Sequence, residues 1–271
     1  MMSFIYSLRD AETWAKFSGD DNPIHFDHAE AKRLGLDGLC VHGMRAMLDI
    51  KTALSARMEK DASGADGFSF ISRLREPVLC DKPYLLALSE TVRRGHMQVS
   101  GNLLGKEASA QVSISSKLTG TGSVNLAPVT QTFSLSAQTL TSFYQDFPHG
   151  GKPVAVWNFM DAVLFRQLVQ SPDTLDSVRS ILPEVRATRL REVFSLVQVV
   201  QTHHETRFSR SLLAAGTEAA CCEGFDYAVL PTLVTGDKHS GLILLASLQA
   251  WRGKDPLMTV TVTLKTGPLT L

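Results

Sequence analysis

The sequence predicts an α+β fold in which one plan is laid out twice. An apolar stripe at helical spacing follows Gly43, with Met44, Met47, Leu48, Leu54 and Met58 on one side. A strict alternation comes later, Ala108, Ala110, Val112 and Ile114 against Ser109, Gln111, Ser113 and Ser115, and a period of two marks a half-buried strand. The same succession of elements then returns after residue 130. At 271 residues the chain has the length for two domains or one large one, and either buries a substantial core.

Ser3 to Leu8 reads as a short strand. Asp10 is placed to cap a helix in which Ala11, Trp14, Ala15 and Ser18 recur at helical spacing, and Gly19 ends it. The stretch Phe17-Ser18-Gly19-Asp20-Asp21-Asn22-Pro23-Ile24-His25 cannot continue as a helical face. Gly19 permits a positive φ, Pro23 fixes its own φ and pushes Asn22 out of the α region, and Asn22 can bond back to the backbone. A tight polar loop results, holding Asp20 and His25 in fixed relative positions. A carboxylate and an imidazole so held can move a proton to or from water; the plainer alternative is an Asx-type turn beside a surface histidine. Asp27 with Glu30 has the spacing of a capping box for a short helix through Leu34, stopped at Gly35. The helix from Gly43 to about Met58 buries its stripe as core, while its first turn presents unpaired N–H groups and a favourable dipole end to a carbonyl oxygen gaining charge. After a polar loop from Glu59 to Gly67, strand signals run over Phe68 to Arg75, Tyr84 to Arg93 and His96 to Leu103, with a turn at Arg94-Gly95, before the alternating segment.

Thr119 to Thr130 has linker composition. Beyond it, Thr132 to Leu135 is a strand, Ser136 caps a helix to about Asp146, and His149-Gly150 opens a strongly apolar helix through Val154, Trp157, Phe159, Val163 and Leu168. Asp237-Lys238, a Gly241 to Trp251 strand, an Arg252-Gly253 turn and alternating Met258, Val260, Val262 and Leu264 are the counterparts of Asp81-Lys82, Arg94-Gly95 and Ala108 to Ile114. The stretch from first strand to His-Gly is shorter here (Phe133 to His149) than in the first half (Phe4 to His42), and nothing like Gly-Asp-x-Asn-Pro-x-His occurs after residue 130. The expected division is a site-bearing repeat over 1–118, a linker over 119–130, and a degenerate repeat over 131–271 without the polar loop.

Lys plus Arg (27) balances Asp plus Glu (27), so no electrostatic footprint points to nucleic acid or an anionic membrane. No basic segment leads into an apolar core near Met1 to Asp10, and the apolar run near Gly241 to Leu248 is too short to span a bilayer, so a cytoplasmic protein without membrane association is expected. Cys40, Cys80, Cys221 and Cys222 show no metal-binding spacing, and the adjacent pair would be strained as a disulfide; reduced, packed thiols are expected. His203-His204-Glu205 falls in a strand-like run, where neighbours point to opposite faces, so no joint metal site is expected there. With no phosphate-cradling glycine loop and no Gly-x-Ser-x-Gly elbow, the sequence implies no metal and no cofactor.

The string from Ser18 to Ala31 resembles the signature of the (R)-specific enoyl-CoA hydratases, the MaoC-like or hydratase 2 family. That signature is a small residue, Gly-Asp, a variable position, Asn-Pro, an aliphatic, His, and a small residue six further on. Here these are Ser18, Gly19-Asp20, Asp21, Asn22-Pro23, Ile24, His25 and Ala31, and the family's usual His-Gly-Met follows as His42-Gly43-Met44. The resemblance implies a double hot-dog fold, two repeats each wrapping an antiparallel sheet around a long helix. It puts the catalytic roles on Asp20 and His25, which would hold the reacting water, and on the Gly43 N–H, which would bind the thioester oxygen. Asn22, His42 and Met44 would border the substrate, His42 as a structural hydrogen-bonding residue rather than a second base. The implied reaction is reversible hydration of a trans-2-enoyl thioester of CoA or acyl carrier protein, in a monomeric pseudo-dimer or a homodimer, the degenerate half shaping the acyl pocket. A hot-dog acyl-thioesterase and a catalytically inactive acyl-thioester-binding protein are the alternatives. Arg45, Asp49 and Lys51 make the first central helix unusually polar. Arg45 and Asp49 can pair, face the second half, or meet a polar substrate group.

Overall fold

A computed structural model describes residues 2–61, 64–93, 95–106, 111–150, 153–181, 188, 198–237 and 239–268. The first half contains β1 (Met2–Ile5), α1 (Leu8–Ser18), α2 (His28–Arg33), β2 (Cys40–Val41), α3 (Gly43–Met58), β3 (Gly67–Leu74), β4 (Val78–Leu79), β5 (Pro83–Arg93), β6 (His96–Gly105) and β7 (Val112–Thr121). The second contains β8 (Phe133–Leu135), α4 (Ala137–Asp146), β9 (Val154–Ala155), α5 (Val156–Gln170), α6 (Pro172–Ile181), β10 (Val199–Ser209), β11 (Ala215–Gly216), β12 (Phe225–Asp237), β13 (Gly241–Arg252) and β14 (Asp255–Thr266).

Ten of these strands form one antiparallel sheet in the order β1-β5-β6-β7-β3-β10-β14-β13-β12-β8. Read inward from either edge, each half places its long strands in the same sequence, and the halves meet where β3 pairs with β10. The short ribbons β2–β4 and β9–β11 occupy equivalent places just before α3 and α5. Helix α3 packs on β6 and β7, α5 on β13 and β14, and the two helices touch each other. This is a double hot-dog fold, α+β, its repeat visible in strand order as well as in sequence. No described helix is long and apolar enough to cross a membrane.

The two central helices differ in how they are buried. In α3 the stripe Met44, Met47, Ile50, Leu54 and Met58 is buried, whereas α5 buries residues on every side, from Trp157 through Phe165. A helix apolar all round belongs in an interior, and each fully buried large side chain contributes on the order of 1.5–3 kcal/mol. Between the helices lies a polar seam. Lys51 of α3 is ion-paired with Asp161 of α5, both fully buried, and Asp161 also accepts from His204 at 2.8 Å and from Thr206 at 2.6 Å. Trp157 donates its indole N–H to Ser55 at 2.8 Å.

Several boundaries fall elsewhere than the sequence suggests. Strand β1 ends at Ile5, and Ser7, not Asp10, caps α1; Asp10 stands at the third helical position and accepts from the Ser7 N–H at 2.9 Å, completing a capping box. Asp27 does cap α2, but Glu30 turns to Arg33 instead of back to the cap. Strand β7 continues to Thr121, because Thr119, Gly120 and Thr121 pair with Ser69, Phe68 and Gly67, so the first three residues of the expected linker belong to the sheet. Helix α5 starts at Val156, not at His149-Gly150: Gly150 sits in a turn with φ +59°, and the chain first pairs as β9 with β11. Ala108, Ala110, Arg94 and Lys238 lie outside the described residues; Val112 onward is the alternating strand expected.

Replacing Lys51 with Met should lower the unfolding free energy by about 3–5 kcal/mol, since Asp161 would be left buried with its cation removed. Chemical denaturation measures this, and an unchanged midpoint would show that the pair adds nothing to stability.

Candidate active site

Gly19 closes α1 with φ +78°, its N–H bonded to the Ala15 carbonyl at 2.8 Å. Asn22 is extended, as a residue before proline must be, and its side-chain oxygen accepts the Ile24 N–H at 3.3 Å, starting a 3-10 turn over Pro23–His25. The turn carries His25 under β2, where its Nδ1 lies 2.8 Å from the Cys40 carbonyl oxygen. A carbonyl only accepts, so Nδ1 carries the hydrogen and the neutral ring keeps its lone pair at Nε2. His42, just before α3, is held the other way round, its Nε2–H donating to the Asp20 backbone carbonyl at 2.8 Å and its Nδ1 left as the lone pair. The two rings stack with centroids 3.6 Å apart and planes 28° from parallel.

One donor atom each from Asp20, His25 and His42 fall within 4.8 Å of one another, a spacing that one water molecule can bridge. Asp20 Oδ1 and His42 Nδ1 are buried without a hydrogen-bond partner among the described residues. Such groups are costly unless something fills the site. A metal ion would have to lie in the plane of each imidazole binding it, and the two rings are stacked face to face with their planes 28° apart. The trio suits a hydrogen-bonded water better than a cation.

Burial sets the proton affinities. It pushes Asp20 up to about 6, with the charge of Asp21 adding to the rise and the Asn22 N–H opposing it. It pulls His25 down to about 4 against the pull of the Cys40 carbonyl, and takes His42 well below its ordinary value, helped by neighbouring His25. At pH 7 the site therefore holds a carboxylate and two neutral imidazoles, a set of acceptors.

Gly43 begins α3, so its N–H is one of the first-turn groups that a helix leaves without an internal partner. A Cβ there would come within 2.1 Å of Leu74 Cδ2, so glycine is what fits. At the equivalent point of the second half, the Val156 N–H is already bonded to the Ala214 carbonyl at 3.2 Å. Asp20, His25, His42 and Gly43 line a cavity of about 350 Å³ that Phe165, Leu168, Leu244 and Val262 of the second half complete with an apolar wall. Asn22 and Met44 line it too, Asn22 while also holding the turn.

Arg45 and Asp49 are elsewhere. They pair at 2.8 Å, Arg45 also binds Asp10 at 2.7 Å, and all three border a separate cavity of about 510 Å³ between α1, α3 and the loop before β9. Of His203-His204-Glu205, only His204 turns inward, as alternation requires, but its partner Asp161 comes from a distant helix. The cluster Lys51, Asp161, His204 and Thr206, and Gln201 beside it, escaped sequence reasoning; the available signal was a charged residue, Lys51 or Asp161, standing among the buried positions of each central helix.

No family model matches the sequence, and no curated protein matches it either. Solved structures similar to it include a MaoC-like dehydratase, at 10% identity over 96% of this chain and 94% of that one, TM-score 0.46. They also include a tesB protein of Mycobacterium avium subs paratuberculosis, at 12% identity over 84% of this chain and 88% of that one, TM-score 0.49. An (R)-hydratase from A. caviae matches at 17% identity over 44% of this chain and 91% of its own, TM-score 0.35.

Asp20 gives the site a stability signature. Its folded pKa, about 6, lies above the usual 3.8, so the folded state binds the proton more tightly and the cost of ionising it grows from pH 3.8 to about 6, then stays constant. Asp20→Asn should therefore stabilise the fold by about 1–3 kcal/mol at pH 8 and far less at pH 4. Urea denaturation at both pH values checks the difference.

Proposed function

We propose that this chain adds water reversibly to trans-2-enoyl thioesters, giving (R)-3-hydroxyacyl thioesters, or runs the same reaction as a dehydration. The observation that carries the reading is the pair of unsatisfied acceptors, Asp20 Oδ1 and His42 Nδ1, on residues that line a largely apolar cavity together with His25 and Gly43. A water held between Asp20 and His25 forms its new O–C3 bond as one of its O–H bonds breaks. The proton released passes to the Asp20–His25 pair, and C2 takes a proton from the same pair, so the site ends as it began. As C2 becomes carbanion-like, charge gathers on the thioester oxygen, where the Gly43 N–H and the α3 dipole stabilise it. The chemistry needs no metal or cofactor.

The apolar wall from the second half supports an acyl chain as the occupant, carried by CoA or acyl carrier protein. Both repeats of the pseudo-dimer come from one chain, which supports a working monomer. Unpaired cysteines and a thioester substrate support a cytoplasmic setting. Thioester hydrolysis, the rival, would use the carboxylate to direct water at the carbonyl carbon and has no need of the Asn22-Pro23-x-His25 turn. Membership of the MaoC-like hydratases follows on this reading from the loop residues Gly19 to His25.

Incubation with crotonyl-CoA should deplete the enoyl absorbance, whereas a saturated acyl-CoA should release no thiol; the reverse result would make the chain a thioesterase, and neither signal a binding protein. Asp20→Asn and His25→Ala should each lower hydration by about 10²–10⁴-fold with folding intact. Because the carboxylate form of Asp20 is the competent one, kcat/KM should fall tenfold per pH unit below about pH 6. A flat profile from pH 5 to 8 would remove Asp20 from the proton path.

A further inference from the structure

Gln201 lies in β10, where the pairing with β14 slips: Gln201 is opposite Leu264 and His203 opposite Thr263, leaving Thr202 as an extra residue. In a regular strand the side chains of residues 201 and 204 would point to opposite faces. The bulge brings both to the inner face, where Gln201 Nε2 is 3.3 Å from His204 Nδ1. Gln201 and Leu264 both line the catalytic cavity, in the part walled by the second half.

The buried cluster fixes which end of this amide meets the cavity. Burial raises the affinity of Asp161 for a proton, but His204 and Lys51 together hold the carboxyl well below its usual range, so it is a carboxylate and can only accept. Burial also holds His204 below its ordinary value, so the ring is neutral and spends its one N–H, at Nε2, on Asp161 at 2.8 Å. His204 Nδ1 must then accept, and what faces it must be the amide NH₂ of Gln201. The same nitrogen also points a hydrogen at Met44 Sδ, 3.7 Å away. Both amide hydrogens are thereby committed to protein partners, and the Gln201 carbonyl oxygen is left as an acceptor on a residue that lines the cavity together with Leu242, Leu244, Val262 and Leu264 and the hydroxyl-bearing Thr202 and Thr232.

We propose that Gln201 is a specificity-determining residue that reads a hydrogen-bond donor on the acyl chain, so that acyl thioesters carrying a hydroxyl or amide N–H are preferred over plain hydrocarbon chains of the same length. This rests on the cavity being an acyl-thioester site. A site built to hydrogen-bond a substrate group discriminates against the analogue lacking it, because the protein group is left buried and unpaired.

The test pairs saturated, unreactive acyl-CoA thioesters of equal length, one plain and one hydroxylated along the chain, and measures binding to the full chain by calorimetry. The hydroxylated ligand should bind at least about tenfold more tightly, and in Gln201→Met and Gln201→Leu the ratio should collapse to about twofold or less. Equal binding of the two ligands by the wild type, binding of neither, or a preference that survives both variants would overturn the proposal. Because the ligands are saturated, the hydration assay reports separately. A binding preference without hydration would defeat the hydratase reading alone, and hydration of enoyl thioesters without a binding preference would defeat the role of Gln201 alone.

Discussion

The pairing of β3 with β10 is the constraint on which the rest of the molecule depends. Seven residue pairs, from His203 opposite Arg73 to Ser209 opposite Gly67, join two five-stranded units into one sheet. Once they are joined, α3 and α5 have to lie against each other, and what stands between them has to be dry. Lys51 and Asp161 meet in that dry layer, fully buried. Two charges there cost more than apolar residues of similar volume would. What they supply is register: an ammonium on α3, a carboxylate on α5 and a histidine on β10 fit together in one alignment of the halves.

The same burial that makes the seam selective also prepares the site. A carboxylate and an imidazole in open solution would titrate near 4 and 6.5, giving an ionised pair at mildly acid pH. Inside this cavity the order is inverted, with Asp20 up to about 6 and His25 down to about 4. Desolvation disfavours the charged form of each group, so it moves an acid and a base in opposite directions. Asp20 is thereby brought toward neutrality, where a carboxyl can both take and give a proton, while His25 is held as a neutral base. Backbone carbonyls do the rest by fixing tautomers, Cys40 for His25 and Asp20 for His42.

How far the sequence carried this depended on whether each signal was local. Gly19, Asn22 and Pro23 dictate the turn that carries Asp20 and His25 within a few residues, so the loop could be read directly. Strands β7 and β14 were legible because period-two alternation marks them, while their order in the sheet was not. Helix α5 was misplaced because its true start is set by β9 pairing with β11, about sixty residues away in the chain, while His149-Gly150 offered a nearby imitation. Asp161, His204 and Lys51 come from three separate elements, and no spacing rule links them. Gln201 was hidden for a sharper reason: counting by twos from His204 assigns it to the outer face, and only the bulge at Thr202 overrules the count.

The two repeats differ at the first amide of their central helices. In the first half Gly43 starts α3 and lines the cavity, and Leu74 packs where a Cβ would stand. In the second half Val156 has given its N–H to Ala214, and Ala155 stands where His42 stands in the first. An oxyanion donor already bonded to protein cannot strengthen its bond as charge develops on a ligand, so restoring an acid and a base there would not by itself restore a site. Freed from that requirement, the second half could fill α5 with apolar side chains on every face and spend its inner surface on walls. Phe165, Leu168 and Val262 are among those walls, on the same cavity that Asp20 and His25 line. On the proposed reading the second repeat acts on the chemistry through solvent exclusion, the wall residues of α5 and β14 adding to the burial that shifts the acid and base of the loop.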